Sequence, residues 1–113
     1  MRLESFLIRK IIFSDITFGP GARTKGVIDH IRKEITEIEA SNGSMEEWVD
    51  VVLLALDGLC RSIEFNPNVP ISNPVAVASL AATAIEEKQT TNELRKWPDW
   101  RGNENDAIEH LKD

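Results

Sequence analysis

Between Lys33 and Arg61 the chain reads as helix, break, helix, and the break is only Ser41-Asn42-Gly43-Ser44. So short a connection sends the second helix back along the first, so the rest of the chain must pack around an antiparallel helical pair. Asn42 and Gly43 are residue types that stop a helix, and Ser44 followed by Glu47 has the spacing of a capping box for the next one. The pair also carries acids in register: Glu34 and Glu37 on the first helix, Glu47 and Asp50 on the second. An i,i+3 spacing sets both members of a pair on one helix face, roughly 60° apart. Folding the helices together brings these carboxylates to one place.

Facing acids in a partly buried site either bind protons more tightly or hold a cation among them. An all-oxygen ligand set favours magnesium, with manganese as a substitute, and such a cation in a small protein most often serves phosphate chemistry. The same acids also fit ordinary exposed helix faces. Downstream of Asp50, the run Val51-Val52-Leu53-Leu54-Ala55-Leu56 is apolar around the helix circumference, as expected of a helix buried on most sides. That run makes Asp50 the acid expected to be least solvated, with Asp57 and Arg61 extending its stripe.

A length of 113 residues predicts one domain, residues 1–113, with a single core. A hydrophobic share of 42% against 28% charged excludes a disordered chain. Net charge of −6 argues against nucleic-acid binding, although a metal ion can reverse the local field for a nucleotide. The lone Cys60 forms no intrachain disulfide and reads as a small buried hydrophobe in a reduced, cytoplasmic setting. No membrane span and no signal peptide are recognisable.

In chain order, residues 3–13 read as a short first helix, with a strand as the alternative, Thr17–Gly26 as a glycine-rich shaped loop, and Val27–Ala40 as the second helix. Arg23 and Lys25 in the loop suit phosphate oxygens at a helix N-terminus, and equally an ordinary turn with solvated basic residues. Val27, Ile28, Ile31, Ile35 and Ile38 form the apolar side of the second helix. His30 beside them suits a water or a phosphate, and equally a structural role. The third helix is expected over Ser44–Ser62, a linker over Glu64–Pro74, and a fourth helix after it with Val77, Leu80, Ala81, Ala84 and Ile85 inward. Lys88, Asn92 and Arg95 then follow at i, i+4, i+7. That stripe fits recognition of a phosphate and a base, or a solvated helix end. Trp97-Pro98-Asp99-Trp100 supplies aromatic surface to stack on a base or to pin the tail, and the last twelve residues are expected to add a short helix.

The blocks TFGPGARTKGVIDHIRKEITEIE, EEWVDVVLLALDG and KQTTNELRKWPDW together resemble the phage and bacterial dATP/dGTP diphosphohydrolases (MazZ-like), a branch of the all-α nucleoside triphosphate pyrophosphohydrolases related to MazG. The resemblance runs from about Phe13 to the C-terminus. It implies an all-α, MazG-like bundle of about four main helices, with Glu34, Glu37, Glu47 and Asp50 as ligands of Mg2+ (or Mn2+) and Glu37 and Glu34 as catalytic acids. The implied substrate residues are Lys88, Asn92, Arg95, Trp97, Asp99 and Trp100, joined by Arg23 and His30. The implied reaction is cleavage of dATP or dGTP to the monophosphate and pyrophosphate, by a homo-oligomer (dimer or tetramer) in a bacterial or phage-infected cytoplasm. A reading of another class also fits the composition: a non-enzymatic acidic helical protein that binds a partner through its surface.

Overall fold

Four α-helices form in chain order, α1 (Leu3–Phe18), α2 (Thr24–Ala40), α3 (Met45–Glu64) and α4 (Pro74–Leu94). They are seen in a computed structural model that describes residues 2–112, and the described residues contain no strand. The fold is all-α, as expected. The chain divides into two compact units, Met1–Ala82 and Thr83–Asp113, so α1, α2, α3 and the first part of α4 share one of them.

Within that first unit, Leu7 and Ile11 of α1, Cys60 of α3, and Val77, Ala78, Ala81 and Ala82 of α4 form the apolar core. Alanine stands at three of the four α4 positions. The register differs from the sequence reading, which placed Leu80 and Ala84 inward; both are exposed. On α2, Val27 and Ile38 are buried while Ile28 and Ile35 face outward, so the inward stripe runs through Val27, Glu34 and Ile38. These follow at i, i+7 and i+11, a tighter fit to one helix face than the full set of isoleucines. Val27 Cγ1 lies 3.5 Å from where a side chain on Gly58 would begin, which shows how closely α2 and α3 approach there.

Two boundaries move. α1 continues to Phe18 rather than stopping near residue 13, and α2 begins at Thr24, so the glycine-rich loop contracts to residues 19–23. The extension has a physical cause in Ser14, which is buried but fully partnered. Its hydroxyl donates to Asp57 Oδ1 at 2.6 Å, and its carbonyl accepts from Arg61 Nη2 at 3.2 Å. Arg61 Nη1 also reaches the Gly19 and Gly21 carbonyls at 2.9 and 2.7 Å, stapling the loop to α3.

The break between α2 and α3 behaves as its residues require. Asn42 and Gly43 take positive φ, the Asn42 N–H donates to the Glu39 carbonyl and the Gly43 N–H to the Ile38 carbonyl, which is the Schellman helix stop. The expected capping box is absent: Ser44 precedes α3 without a side-chain cap. Its own N–H donates to Ser41 Oγ at 3.2 Å, and Glu47 turns toward α2 instead of back along its helix. Before α4, Asn73 Oδ1 accepts from the Val75 N–H at 2.9 Å with Pro74 in the first helical turn, a cap suited to a proline-led helix.

The apolar run of α3 is not buried on most sides, since Val52 is 53% exposed. Its circumference is apolar, but the helices of this unit cover only part of it. In the unit Thr83–Asp113, the described residues 102–112 form turns and irregular chain, not the expected helix. The Leu111 N–H donates to the Lys96 carbonyl at 2.7 Å and the Trp97 and His110 rings meet edge to face, so the tail is tied locally instead. No helix among the described residues is long and apolar enough to cross a membrane.

Candidate metal centre

Glu37 and Glu47 stand five residues on either side of Asn42, and Glu34 and Asp50 eight on either side. An antiparallel pair turning at Asn42 therefore sets Glu37 opposite Glu47 and Glu34 opposite Asp50. One carboxylate oxygen from each of Glu34, Glu37 and Glu47 lies within 4.8 Å of the others. Asp50 stands outside that triplet on an exposed position of α3, so it is not the least solvated acid. Among the four acids of the group Glu34 is the buried one, at 8% exposure, because its α2 face turns inward with Val27 and Ile38.

The electrostatics follow from this crowding. Sharing a hydrogen bond with Glu37 raises the proton affinity of Glu34, burial and the charges of Glu37 and Asp50 raise it further, and contact with Glu47 opposes them. The same contact with Glu37, followed by burial, pushes Glu47 up to about 7. Glu34 Oε1 lies 3.4 Å from His30 Nε2. Glu34 Oε2 and Glu47 Oε2 are buried with no hydrogen-bond partner. Buried oxygens of this kind are rare in folded proteins, and two on facing helices next to a third carboxylate match the demand of a hard divalent cation for oxygen ligands. The residues present fit such an ion.

A cavity of about 240 Å³ opens beside this group, with Glu34, Asp50 and His30 in its wall and Lys10, Phe13, Phe18, Leu53, Leu54 and Asp57 completing it. A smaller one, about 80 Å³, lies beneath Arg23 and Gly26. Arg23 is exposed, and its guanidinium rests over the Phe18 ring at 5.5 Å. A side chain at position 26 would begin 3.3 Å from Arg23 Nη2, so glycine there leaves room for the arginine to fold back. Another groove, about 510 Å³ along α1, is lined by Phe6, Arg9, Lys10, Ile12, Phe13 and Leu53 and includes none of the acids. Size alone does not mark the site.

The remaining expected substrate residues lie in the unit Thr83–Asp113. Arg95 Nη1 donates to Asn92 Oδ1 at 2.9 Å, and Trp97 Nε1 donates to the Asn92 carbonyl at 2.7 Å, so these residues form one local group. Lys88 is exposed. Asp99 accepts from the Arg101 backbone and guanidinium, and Arg101 lies over the Trp100 ring at 4.8 Å, so both residues are engaged with their neighbour.

Sequence reasoning missed Lys10, Phe13 and Phe18 as walls of the cavity. Lys10 and Phe13 share one side of α1 at i,i+3, but only the continuation of α1 to Phe18 and its packing against α3 make that side a cavity wall. It also missed Ser14, whose importance depends on Asp57 and Arg61 more than forty residues away.

No curated protein and no solved structure matches the chain. The family model described as dATP/dGTP pyrophosphohydrolase matches residues 8–113, which takes in most of α1, all of α2, α3 and α4, and every acid of the group just described. The chain therefore belongs to the dATP/dGTP pyrophosphohydrolase family.

Proposed function

We propose that the protein hydrolyses dATP and dGTP to the deoxynucleoside monophosphate and pyrophosphate with Mg2+, Mn2+ being a substitute, held by Glu34, Glu37, Glu47 and Asp50. The observation that carries the metal is the pair of buried, partnerless oxygens on Glu34 and Glu47 beside Glu37. The family supports the nucleotide substrate. When bound, the ion neutralises triphosphate oxygens and makes water a better nucleophile near neutral pH.

The chain's own residues then have separable roles. Glu37, which touches both other acids of the triplet, accepts the proton of the attacking water on a carboxylate oxygen. Glu34 is held between Glu37 and His30, which orients it toward the shared space. Lys88 and Arg95 offset phosphate charge as the α-phosphorus is attacked, and Arg23 from the loop before α2 and His30 from α2 serve the same end. Asn92 orients Arg95 and, with Trp97, Asp99 and Trp100, completes the proposed substrate-binding set.

Exposed apolar residues on α1 (Ile12, Phe13, Ile16) and α3 (Trp48, Val49, Val52) support assembly into a dimer or tetramer. A cytoplasmic setting, in a bacterium or an infected host, accords with nucleotide-pool chemistry.

The deciding experiment is pyrophosphate release from a panel of ribo- and deoxynucleoside triphosphates with Mg2+ and again in EDTA. Metal-dependent turnover of dATP or dGTP is expected. A folded protein that turns over nothing is instead a partner-binding protein.

A further inference from the structure

A purine nucleotide whose phosphates meet a cation held by Glu34 and its neighbours must put its base somewhere, and the cavity beside Glu34 and Asp50 has the shape and chemistry for it. We propose that this cavity, between α1, α2 and α3, is the purine-base subsite, and that the Lys10 ammonium reads the base there by donating to N7. The inference rests on the triphosphate reading above and adds a location and a reader for the base.

The volume supports a partial ligand. About 240 Å³ is below the roughly 300–1,000 Å³ that encloses a whole small-molecule ligand. It suits a base with part of its sugar, the phosphates lying toward the side of the cavity that Glu34 and Asp50 line. The walls are apolar where a base needs them: Leu53 and Leu54 on α3 and Phe13 and Phe18 on α1. The two phenyl rings meet edge to face, with centroids 6.3 Å apart and planes at 83°, so they present surfaces of different orientation to an entering ring.

Lys10 is the α1 cation in that wall. Asp57 faces it electrostatically, but Asp57 Oδ1 already accepts from Ser14 Oγ at 2.6 Å and from Arg61 Nε at 3.1 Å. The ammonium therefore keeps donors for a ligand. Burial pulls its proton affinity below the ordinary lysine value against the opposing pull of Asp57 and Cys60, as happens to a charge that has lost water without gaining a full replacement.

The choice of N7 follows from what an ammonium can read. It has donors and no acceptor. Adenine and guanine differ at position 6, where one presents a donor and the other an acceptor, but both present N7 as an acceptor. A lysine reader therefore admits both purines, and pyrimidines have no equivalent atom. This matches a family described by both dATP and dGTP without requiring two recognition modes.

The test compares dATP and dGTP with their 7-deaza analogues, in which N7 is replaced by C–H, on the wild-type protein and on Lys10→Met. In the wild type, kcat/KM is expected to fall about 10- to 100-fold on removing N7, the scale of a charge-assisted hydrogen bond. Lys10→Met is expected to lose a similar factor on the natural purines and little more on the analogues. Equal losses on both, or wild-type indifference to N7, would overturn the proposal, and the wild-type comparison needs no variant to fold. Binding of dGMP and 7-deaza-dGMP is measured by calorimetry alongside. N7-dependent binding by a protein that hydrolyses no triphosphate would refute the reaction and uphold the subsite; binding blind to N7, or no binding, would refute the subsite.

Discussion

Arg61 Nη1 donates to the Gly21 carbonyl at 2.7 Å across forty positions of sequence. The same guanidinium, 1% exposed, also engages Gly19, Ser14 and Asp57, so one side chain ties the loop before α2 to the interior of α1 and α3. Removing one partner of a buried charge pair leaves the other uncompensated. Arg61→Met is expected to lose about 3–5 kcal/mol of stability, measured by urea denaturation. Arg61→Lys keeps the charge but not the fork of donors and should fall between. A wild-type midpoint for Arg61→Met would show that the staple contributes nothing.

The acids of α2 and α3 repel one another in the metal-free protein, and function and stability are therefore opposed there. Glu34→Gln and Glu47→Gln should raise the melting temperature in EDTA, abolish the further rise caused by Mg2+, and lower turnover by at least about 100-fold, the upper range for disturbing a metal's surroundings. Calorimetry with and without Mg2+ reads the first two effects. Glu37→Gln and Asp50→Asn should also lose turnover with the fold intact, and full activity in both would remove them from the site.

Metal affinity should depend on pH with a definite sign. Contact with Glu37 and burial hold Glu47 protonated up to about 7, and a cation must displace that proton. Mg2+ affinity is therefore expected to rise about tenfold per pH unit below 7 and to level off above it. A flat titration by calorimetry from pH 5.5 to 8.5 would exclude proton competition. In EDTA the sign reverses. Glu47, and Glu64, raised to about 7 by burial and a hydrogen bond with Asp15, hold an extra proton in the folded state between 4.5 and 7. Their contribution to stability is thus present in full below pH 4.5 and lost as pH rises through 7.

Cys60 belongs to the core, at 3% exposure, and burial followed by the charge of Asp57 pushes its thiol up to about 11. At pH 8 it is almost wholly protonated. Iodoacetamide should leave it unmodified in the native protein and alkylate it readily in urea. Rapid native labelling, followed by mass spectrometry, would contradict its place in the core.

Val52 on α3 is exposed although it continues an apolar run. If that face joins copies of the chain, Val52→Lys should shift the protein toward monomer in light scattering while leaving the helical circular dichroism unchanged. An unaltered mass would place the subunit contact elsewhere.

The helical hairpin was legible from Ser41 to Ser44, because a helix stop is a local event decided by the few residues that form it. The four acids were legible as a group for a related reason: a short turn makes their opposition a matter of counting outward from Asn42. The ranking among them was not. Asp50 seemed the embedded acid from its apolar neighbours in sequence, yet Glu34 is the buried one, since rotation of α2 about its own axis depends on what α3 presents to it. The capping box failed for a similar reason, because Glu47 had a stronger claim on it from another helix than from its own.

The sequence by itself therefore determined an all-α chain, the place of its main turn and the chemical type of its acidic site, since helical periodicity, helix stops and carboxylate spacing act over a few residues. Only the tertiary structure decided which carboxylate oxygens are buried without partners, that Ser14, Asp57 and Arg61 hold the loop before α2, and that Lys10 borders a cavity beside the acids. Those are relations between helices, set by how each rotates to bury its apolar face, and close packing makes that choice jointly for all of them.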